Sequence, residues 1–230
     1  MIDIHSHLLP NVDDGSRSFE DSVAIINGLA SVGVTDIMIT PHYVAETEWV
    51  STRTKNQVLI ADLRSRVKGV KLYLGNEIYI DQNIAQRLKK GIISPLADSK
   101  YLLVELPMSG EYEGYEDILL SLIQAGYKVI LAHPERYHTS HKKLDKLIEL
   151  RDMGVLFQCN LGSIIGQYGK NAQKTIKKLA KADMIYCFGT DIHHRRDYSE
   201  ITKAQKKLRK YYSEEELQTL LDTNPRKILC

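Results

Sequence analysis

At 230 residues, with 43% hydrophobic and 26% charged side chains, the chain has an ordinary globular composition and the length for one domain with a sizeable core. Its 31 basic and 29 acidic residues leave a formal charge of +2, which argues against whole-molecule attraction to nucleic acid or an anionic membrane. Three scattered cysteines (Cys159, Cys187, Cys230) without CxxC spacing, no signal-like segment after Met1, and no apolar run near the roughly 18 residues of a spanning helix point to a reducing cytoplasm, without secretion or membrane insertion.

Short β-rich runs alternate with longer amphipathic stretches, the pattern of parallel strands joined by crossover helices. In chain order the reading is a strand at Ile2 to His5, a helix at Ser18 to Val32, a strand at Thr35 to Thr40, a helix at Ser51 to Val67 and a strand at Val70 to Gly75. Tyr101 to Leu106 (strand), Glu116 to Ala125 (helix), Lys128 to Ala132 (strand), His141 to Met153 (helix), Val155 to Cys159 (strand), Ala172 to Ala182 (helix) and Met184 to Gly189 (strand) follow. The first helix opens with capping-box spacing at Ser18 and Asp21 and sets Phe19, Val23, Ile26 and Ala30 on one face. Gly33, Gly126 and Gly154 each precede a strand, where a left-handed residue ends a helix. After Asp191 come a basic helix from Tyr198 to Tyr212, a shorter one at Glu214 to Leu221, and Asn224-Pro225. The five cations between Lys203 and Lys210 read as a solvated face. Seven strands at this even spacing suggest a barrel more than an open sheet, and no linker divides the chain.

Nearly every expected strand ends in a residue able to bind a divalent metal: His5 and His7, His42, Glu77, Glu105, His133, and Asp191 with His193. Loops after parallel strands converge on one face of a barrel, so these side chains would meet. Imidazole with carboxylate suits zinc, manganese or iron. Residues two apart on extended backbone point the same way, so both imidazoles of His5-Ser6-His7 can reach one ion, and Asp191-Ile192-His193 repeats the spacing. Of Asp13 and Asp14, Asp14 is the favoured ligand, although Asp-Gly is also an ordinary turn signal. Pro41 and Pro134 stiffen the chain beside His42 and His133. Arg136 is placed either to clamp a phosphate oxygen or to form a surface ion pair.

In order, His-Ser-His at 5–7, Asp-Asp-Gly at 13–15, Thr-Pro-His at 40–42, Gly-Asn-Glu at 75–77, Val-Glu-Leu-Pro at 104–107, Ala-His-Pro-Glu-Arg-Tyr at 132–137 and Gly-Thr-Asp-Ile-His at 189–193 resemble the PHP (polymerase and histidinol phosphatase) superfamily. Within it the chain is most similar to the manganese-dependent tyrosine-protein phosphatases of bacterial capsule and exopolysaccharide systems. The resemblance implies a distorted (β/α)7 TIM-like barrel, one domain over residues 1–230, with three divalent ions at the C-terminal mouth: manganese expected, iron or zinc also fitting. By it, His5, His7, Glu77 and Asp191 would hold the first ion, Glu77 as a bridge with Glu105 and His133 the second, and Asp14, His42 and His193 the third. The implied substrate is phosphotyrosine on the tail of a bacterial tyrosine autokinase that controls polysaccharide export. The segment from Tyr43 to Arg53 and the run His-Arg-Arg-Asp-Tyr after His193 depart from the family pattern.

The expected chemistry is in-line attack by a hydroxide ionised between two ions about 3.5–4 Å apart, with Arg136 sharing in charge neutralisation. A phenolate leaving group, with a conjugate-acid pKa of about 10, lessens the demand for a general acid, for which His42, His193 or His194 would serve. Thiol chemistry is disfavoured: six residues beyond Cys159 and Cys187 stand Ile165 and His193, where the cysteine-dependent loop needs arginine, and Cys230 ends the chain. There is no GxxxxGK[ST] or GxSxG motif. The competing expectations are a small-molecule phosphoesterase such as histidinol-phosphate phosphatase and a non-catalytic metal-binding module.

Overall fold

The computed structural model of the chain describes residues 1–110, 112–142 and 144–229. Cys230 lies outside them. Parallel strands alternate with helices: β1 (Ile2–Asp3), α1 (Phe19–Ser31), β2 (Asp36–Ile39), β3 (His42–Tyr43), α2 (Arg53–Arg66), β4 (Lys71–Leu74), β5 (Glu77–Tyr79), α3 (Ile84–Lys89), β6 (Tyr101–Glu105), α4 (Tyr115–Gln124) and β7 (Lys128–Ala132). Then come α5 (His138–Lys142), α6 (Asp145–Met153), β8 (Leu156–Asn160), α7 (Leu161–Ile165), α8 (Gly169–Lys181), β9 (Cys187–Gly189), α9 (Ser199–Leu208), α10 (Glu214–Gln218) and α11 (Asn224–Arg226).

The strands form two parallel sheets, ordered β1-β2-β4 and β3-β5-β6-β7-β8-β9. All seven expected strands are present, but two are interrupted: β2 resumes as β3 after Thr40-Pro41, and β4 resumes as β5 after Gly75-Asn76. Pro41 has no N–H to give a ladder. The Asn76 side chain fills in, donating to the Pro41 carbonyl (3.1 Å) and the Ser51 carbonyl (3.0 Å) and accepting from the Ser94 N–H (2.9 Å). Between the edges β1 and β9 the described residues make an isolated parallel bridge, Ser6 to Ile192, rather than a ladder. The ladders of the two sheets therefore do not close on one another.

Strand side chains alternate between two buried environments, which is why these segments read as near-continuous apolar runs. Ile37, Ile39, Leu102, Val104, Val129, Leu131, Phe157 and Phe188 join the large core that includes Ile25 and Leu29 of α1 and Leu119 of α4. Met38, Leu103, Ile130 and Cys187 join a second cluster with Ile2, Ile4 and the C-terminal Ile228.

Helix α1 is capped as expected, the Ser18 hydroxyl accepting from the Asp21 N–H (3.1 Å), but the Asp21 carboxylate goes to Arg195 (2.7 Å) instead of completing a capping box. Its buried face is Ser22, Ile25, Ile26 and Leu29. Of the face expected, Phe19, Val23 and Ala30 are half-buried flanks, because apolar residues lie on both sides of the true stripe. The expected helix at His141 to Met153 is two, α5 and α6, and the helix at Glu214 to Leu221 continues through a π-helical turn at Thr219–Thr223. Gly33, Gly126 and Gly154 have φ of 90–104°, the left-handed stops anticipated. On α9 the buried residues are Ile201, Ala204 and Leu208, with Lys203, Lys206, Arg209 and Lys210 of the basic run exposed. Among the described residues no helix is long and apolar enough to cross a membrane.

Candidate metal centre

Most of the chemistry-bearing side chains stand at or just past the carboxyl ends of strands, and His42 and Glu77 stand where β2 and β4 resume after their breaks. His5 and His7 follow β1, His42 opens β3, Glu77 opens β5, Glu105 closes β6, His133 follows β7, and Asp191 and His193 follow β9. Asp14 comes from the turn after His7. His133 (φ 32°) and Asp191 (φ 51°) are both held in the left-handed region, which costs a non-glycine residue on the order of 1–2 kcal/mol, so both positions carry backbone strain.

All nine meet in one place. His5 Nε2 and His7 Nε2 are 3.1 Å apart, and they lie 3.2 and 3.3 Å from Glu77 Oε2 and 3.4 and 3.5 Å from Asp191 Oδ1. The other Glu77 oxygen is 3.0 Å from His133 Nε2, which is 3.7 Å from Glu105 Oε1. His42 links two groups: its Nδ1 is 3.0 Å from Glu77 Oε2 and 3.8 Å from Glu105 Oε2, while its Nε2 is 3.5 Å from Asp14 Oδ1. Asp14 Oδ1 is also 3.3 Å from His193 Nε2. Three overlapping sets could each hold an ion: His5, His7 and Glu77; His42, Glu77 and Glu105; and His7, Asp14, His42 and His193.

This donor set fits divalent cations and little else. Ligand bonds of about 2.1 Å leave neighbouring donors roughly 3.0–3.5 Å apart, the spacing seen around Glu77. Glu77 and His5, His7 and His133 are 0–1% exposed, and three carboxylates packed among them need positive charge close by. The Glu77 Oε2 and His42 Nδ1 atoms are buried without a hydrogen-bond partner although 3.0 Å apart, as two lone-pair donors sharing a cation would be.

The local electrostatics follow from burial and neighbours. Burial, together with the charges of Glu77 and Asp191, pushes the Glu105 carboxyl up to about 9. Burial also acts to raise Asp191, but the His5 charge and hydrogen bonding from His7 outweigh it and hold this carboxyl well below the usual range. Asp13 behaves likewise: burial opposes, but the His7 charge and bonds from His7 and the His42 N–H bring it down to about 2.

Asp14, favoured from the sequence as the ligand, is in one of the three sets, whereas Asp13 has another place. Its Oδ2 accepts from His7 Nδ1 (2.8 Å) and the His42 N–H (3.0 Å), and its Oδ1 from the Gly15 N–H (3.0 Å), so it orients His7 from behind. Arg136 is no surface pair. Its Nη1 lies 2.7 Å from Asp191 Oδ2, its guanidinium sits 4.5 Å from the Tyr168 ring centroid, and its side chain is 26% exposed. His194 is exposed, its ring 6.2 Å from that of His193, and stands outside the three sets. Three neighbours went unread in the sequence: Gln158, whose Oε1 is 2.8 Å from His5 Nδ1; Asn160, whose Nδ2 donates to Asp191 Oδ2 (2.7 Å); and Trp49, stacked on His42 at 5.2 Å. A polar side chain inside an apolar parallel strand is the signal that could have found the first two.

Overlapping imidazole and carboxylate sets on a parallel α/β fold define a candidate metal centre. The family model for capsular polysaccharide synthesis, CpsB/CapC, matches residues 1–230. The chain belongs to that family. It is 34% identical over 222 residues to a putative tyrosine-protein phosphatase, CapC, of Staphylococcus aureus, covering 93% of this chain and 86% of that one. A crystal structure from work on YwqE of Bacillus subtilis and CpsB of Streptococcus pneumoniae, described as unique metal-dependent tyrosine phosphatases, superimposes with a TM-score of 0.88 at 29% identity, covering 100% of this chain and 94% of that one. Histidinol phosphate phosphatase from Lactococcus lactis shares the fold, with a TM-score of 0.59 at 15% identity over 91% of this chain and 93% of that one.

Proposed function

We propose that this chain is a metal-dependent tyrosine-protein phosphatase whose whole length works as one domain, acting in the cytoplasm on the phosphotyrosine tail of a bacterial tyrosine kinase in capsule or exopolysaccharide synthesis. The observation that carries the reading is the convergence of nine donors, drawn from across the parallel strands, on one site. The free thiols of Cys159 and Cys187 are in keeping with a reducing compartment. We further infer a distorted (β/α)7 barrel. In its support, the second core cluster draws on β1, β2, β6, β7 and β9 together, and the Ser6–Ile192 bridge joins the two sheet edges.

In this reading three divalent ions, manganese by preference, are held by His5, His7, Glu77 and Asp191; by Glu77, Glu105 and His133; and by Asp14, His42 and His193. When bound they would supply a nucleophile ionised near neutral pH and positive charge for the phosphoryl oxygens. The chain's own groups do the rest. Arg136 holds Asp191 through Nη1, and its planar fork carries more N–H donors than that one contact uses, enough to receive a phosphoryl oxygen. His193, with Nδ1 3.0 Å from the Asp191 carbonyl and Nε2 given to the third ion, would have no N–H left for a leaving oxygen while that ion is bound. A phenol leaves with a conjugate-acid pKa of about 10, so proton donation is a modest requirement.

A polypeptide substrate is favoured by a second feature. A cleft of about 1110 Å³ is lined by Leu106 and Pro107, which follow Glu105 in the chain, and by Tyr112, Tyr137 and His141. That is room for residues flanking a phosphotyrosine. Turnover of p-nitrophenyl phosphate that depends on added Mn²⁺ and disappears with chelator is the expected result, with kcat/KM on a phosphotyrosine peptide exceeding that on histidinol phosphate. A fully metal-loaded protein without turnover would overturn the enzymatic reading, and the reverse preference would overturn the substrate.

A further inference from the structure

Strand β8 carries none of the nine donors, yet it is paired between β7, which leads to His133, and β9, which leads to Asp191. Phe157 and Cys159 belong to the large core, whereas Gln158 and Asn160, on the opposite side of the strand, are completely buried polar residues. A buried amide left unpaired costs about 1–3 kcal/mol, so two of them side by side require an account.

Their hydrogen bonds run in one direction. Asn160 Nδ2 donates to Asp191 Oδ2 (2.7 Å), which turns Asn160 Oδ1 toward Gln158; Gln158 Nε2 donates to it (2.9 Å), which turns Gln158 Oε1 toward His5 Nδ1 (2.8 Å). A carboxylate can only accept, so each amide orientation is forced by the next. An amide oxygen also only accepts, so His5 must carry its proton on Nδ1. Its Nε2, 3.2 and 3.4 Å from Glu77 Oε2 and Asp191 Oδ1, is thereby the nitrogen left for an ion. At the other end, engaging Asp191 Oδ2 leaves Oδ1 to face His5 and His7.

The backbone is built around this arrangement. Asn160 N–H is fixed on Glu135 Oε1 (2.9 Å), which also accepts from the Ser163 hydroxyl (2.6 Å). Gly189, paired with Asn160, has no room for a side chain: a Cβ there would lie 2.9 Å from both Gln158 Nε2 and His5 Cβ.

We propose that Gln158 and Asn160 are positioning residues, a one-way amide relay that fixes the His5 tautomer and the Asp191 rotamer together and so shapes the first metal position from behind. The inference rests on the metal-dependent reading above and adds to it residues on a strand that holds no ligand. Groups that orient metal ligands in this way contribute about 10–100-fold to metal affinity.

The test compares wild type, Gln158→Met and Gln158→Glu by calorimetric titration with Mn²⁺ and by thermal melting of the metal-free proteins. Methionine keeps the length and removes the acceptor, so the tightest Mn²⁺ step should weaken about 10–100-fold while the metal-free protein melts within a few degrees of wild type. Glutamate still accepts from His5 Nδ1 and should recover part of the loss. Unchanged Mn²⁺ affinity in Gln158→Met would overturn the relay. If that variant fails to fold, ¹⁵N NMR of the Zn²⁺-loaded wild type decides, since the relay requires His5 protonated at Nδ1 and a bare Nδ1 contradicts it. A wild type that takes up no metal overturns the functional reading itself, and wild-type uptake separates that failure from this one.

Discussion

The Glu105 carboxyl, pushed up to about 9 by burial and by the charges of Glu77 and Asp191, makes metal uptake a proton-releasing event whose size can be worked out. In the metal-free protein at pH 7.5 this group is about 97% protonated, and ionising it costs about 2 kcal/mol at about 1.4 kcal/mol per pH unit. Apparent affinity at its position should therefore rise about tenfold per pH unit from 7 toward 9. Glu105→Gln mimics the protonated form, so at pH 7.5 the metal-free variant should match wild type within about 1 kcal/mol. Between the unfolded value of 4.5 and the folded value near 9 the native wild type holds a proton that the unfolded chain lacks. Its metal-free stability therefore falls with rising pH across that window, and the variant's should not share this loss. Calorimetry of Mn²⁺ binding in buffers of different ionisation enthalpy counts protons. Wild type should release about one more per chain than Glu105→Gln, and the variant should bind at least tenfold more weakly. Equal proton release by the two proteins would contradict a protonated Glu105 in the metal-free chain.

His133→Ala should abolish aryl phosphatase turnover and lower the metal content of the purified protein by elemental analysis; wild-type content would remove His133 from the ligand set. Arg136→Ala takes a charged partner from buried Asp191 and should cost about 2–4 kcal/mol in chemical denaturation while raising KM for p-nitrophenyl phosphate, and an unchanged KM would confine Arg136 to holding Asp191. Asp13, lowered to about 2, contributes about 2 kcal/mol to the metal-free protein above pH 4, an amount lost as pH falls toward 2. Asp13→Ala should accordingly flatten the acid limb of the stability curve, and an acid limb of wild-type steepness would contradict the assignment.

The donor set was legible because metal chemistry requires His, Asp and Glu at strand ends, and such residues stand out where a strand pattern stops. His5 and His7 could be placed on one side from their spacing alone, and Thr-Pro-His and His-Pro-Glu-Arg marked loops in which proline limits the backbone. Breaks in the strands were not legible. They depend on Asn76 reaching three backbone groups supplied by Pro41, Ser51 and Ser94, partners set by the folded chain. The α1 face was misjudged by one position because Ile25 and Ile26 fit two neighbouring stripes equally well. Gln158 and Asn160 were passed over since amides carry no metal signature, and their meaning depends on His5 and Asp191, more than thirty residues away in the chain on the nearer side.

That this cluster of imidazoles and carboxylates binds divalent ions can be seen in anomalous diffraction from Mn²⁺-soaked crystals. Peaks within about 2.0–2.4 Å of Glu77, flanked by His5, His7 and Asp191 on one side and by Glu105 and His133 on the other, are the predicted result. Crystals of active protein with manganese bound elsewhere and no peak beside Glu77 would contradict it.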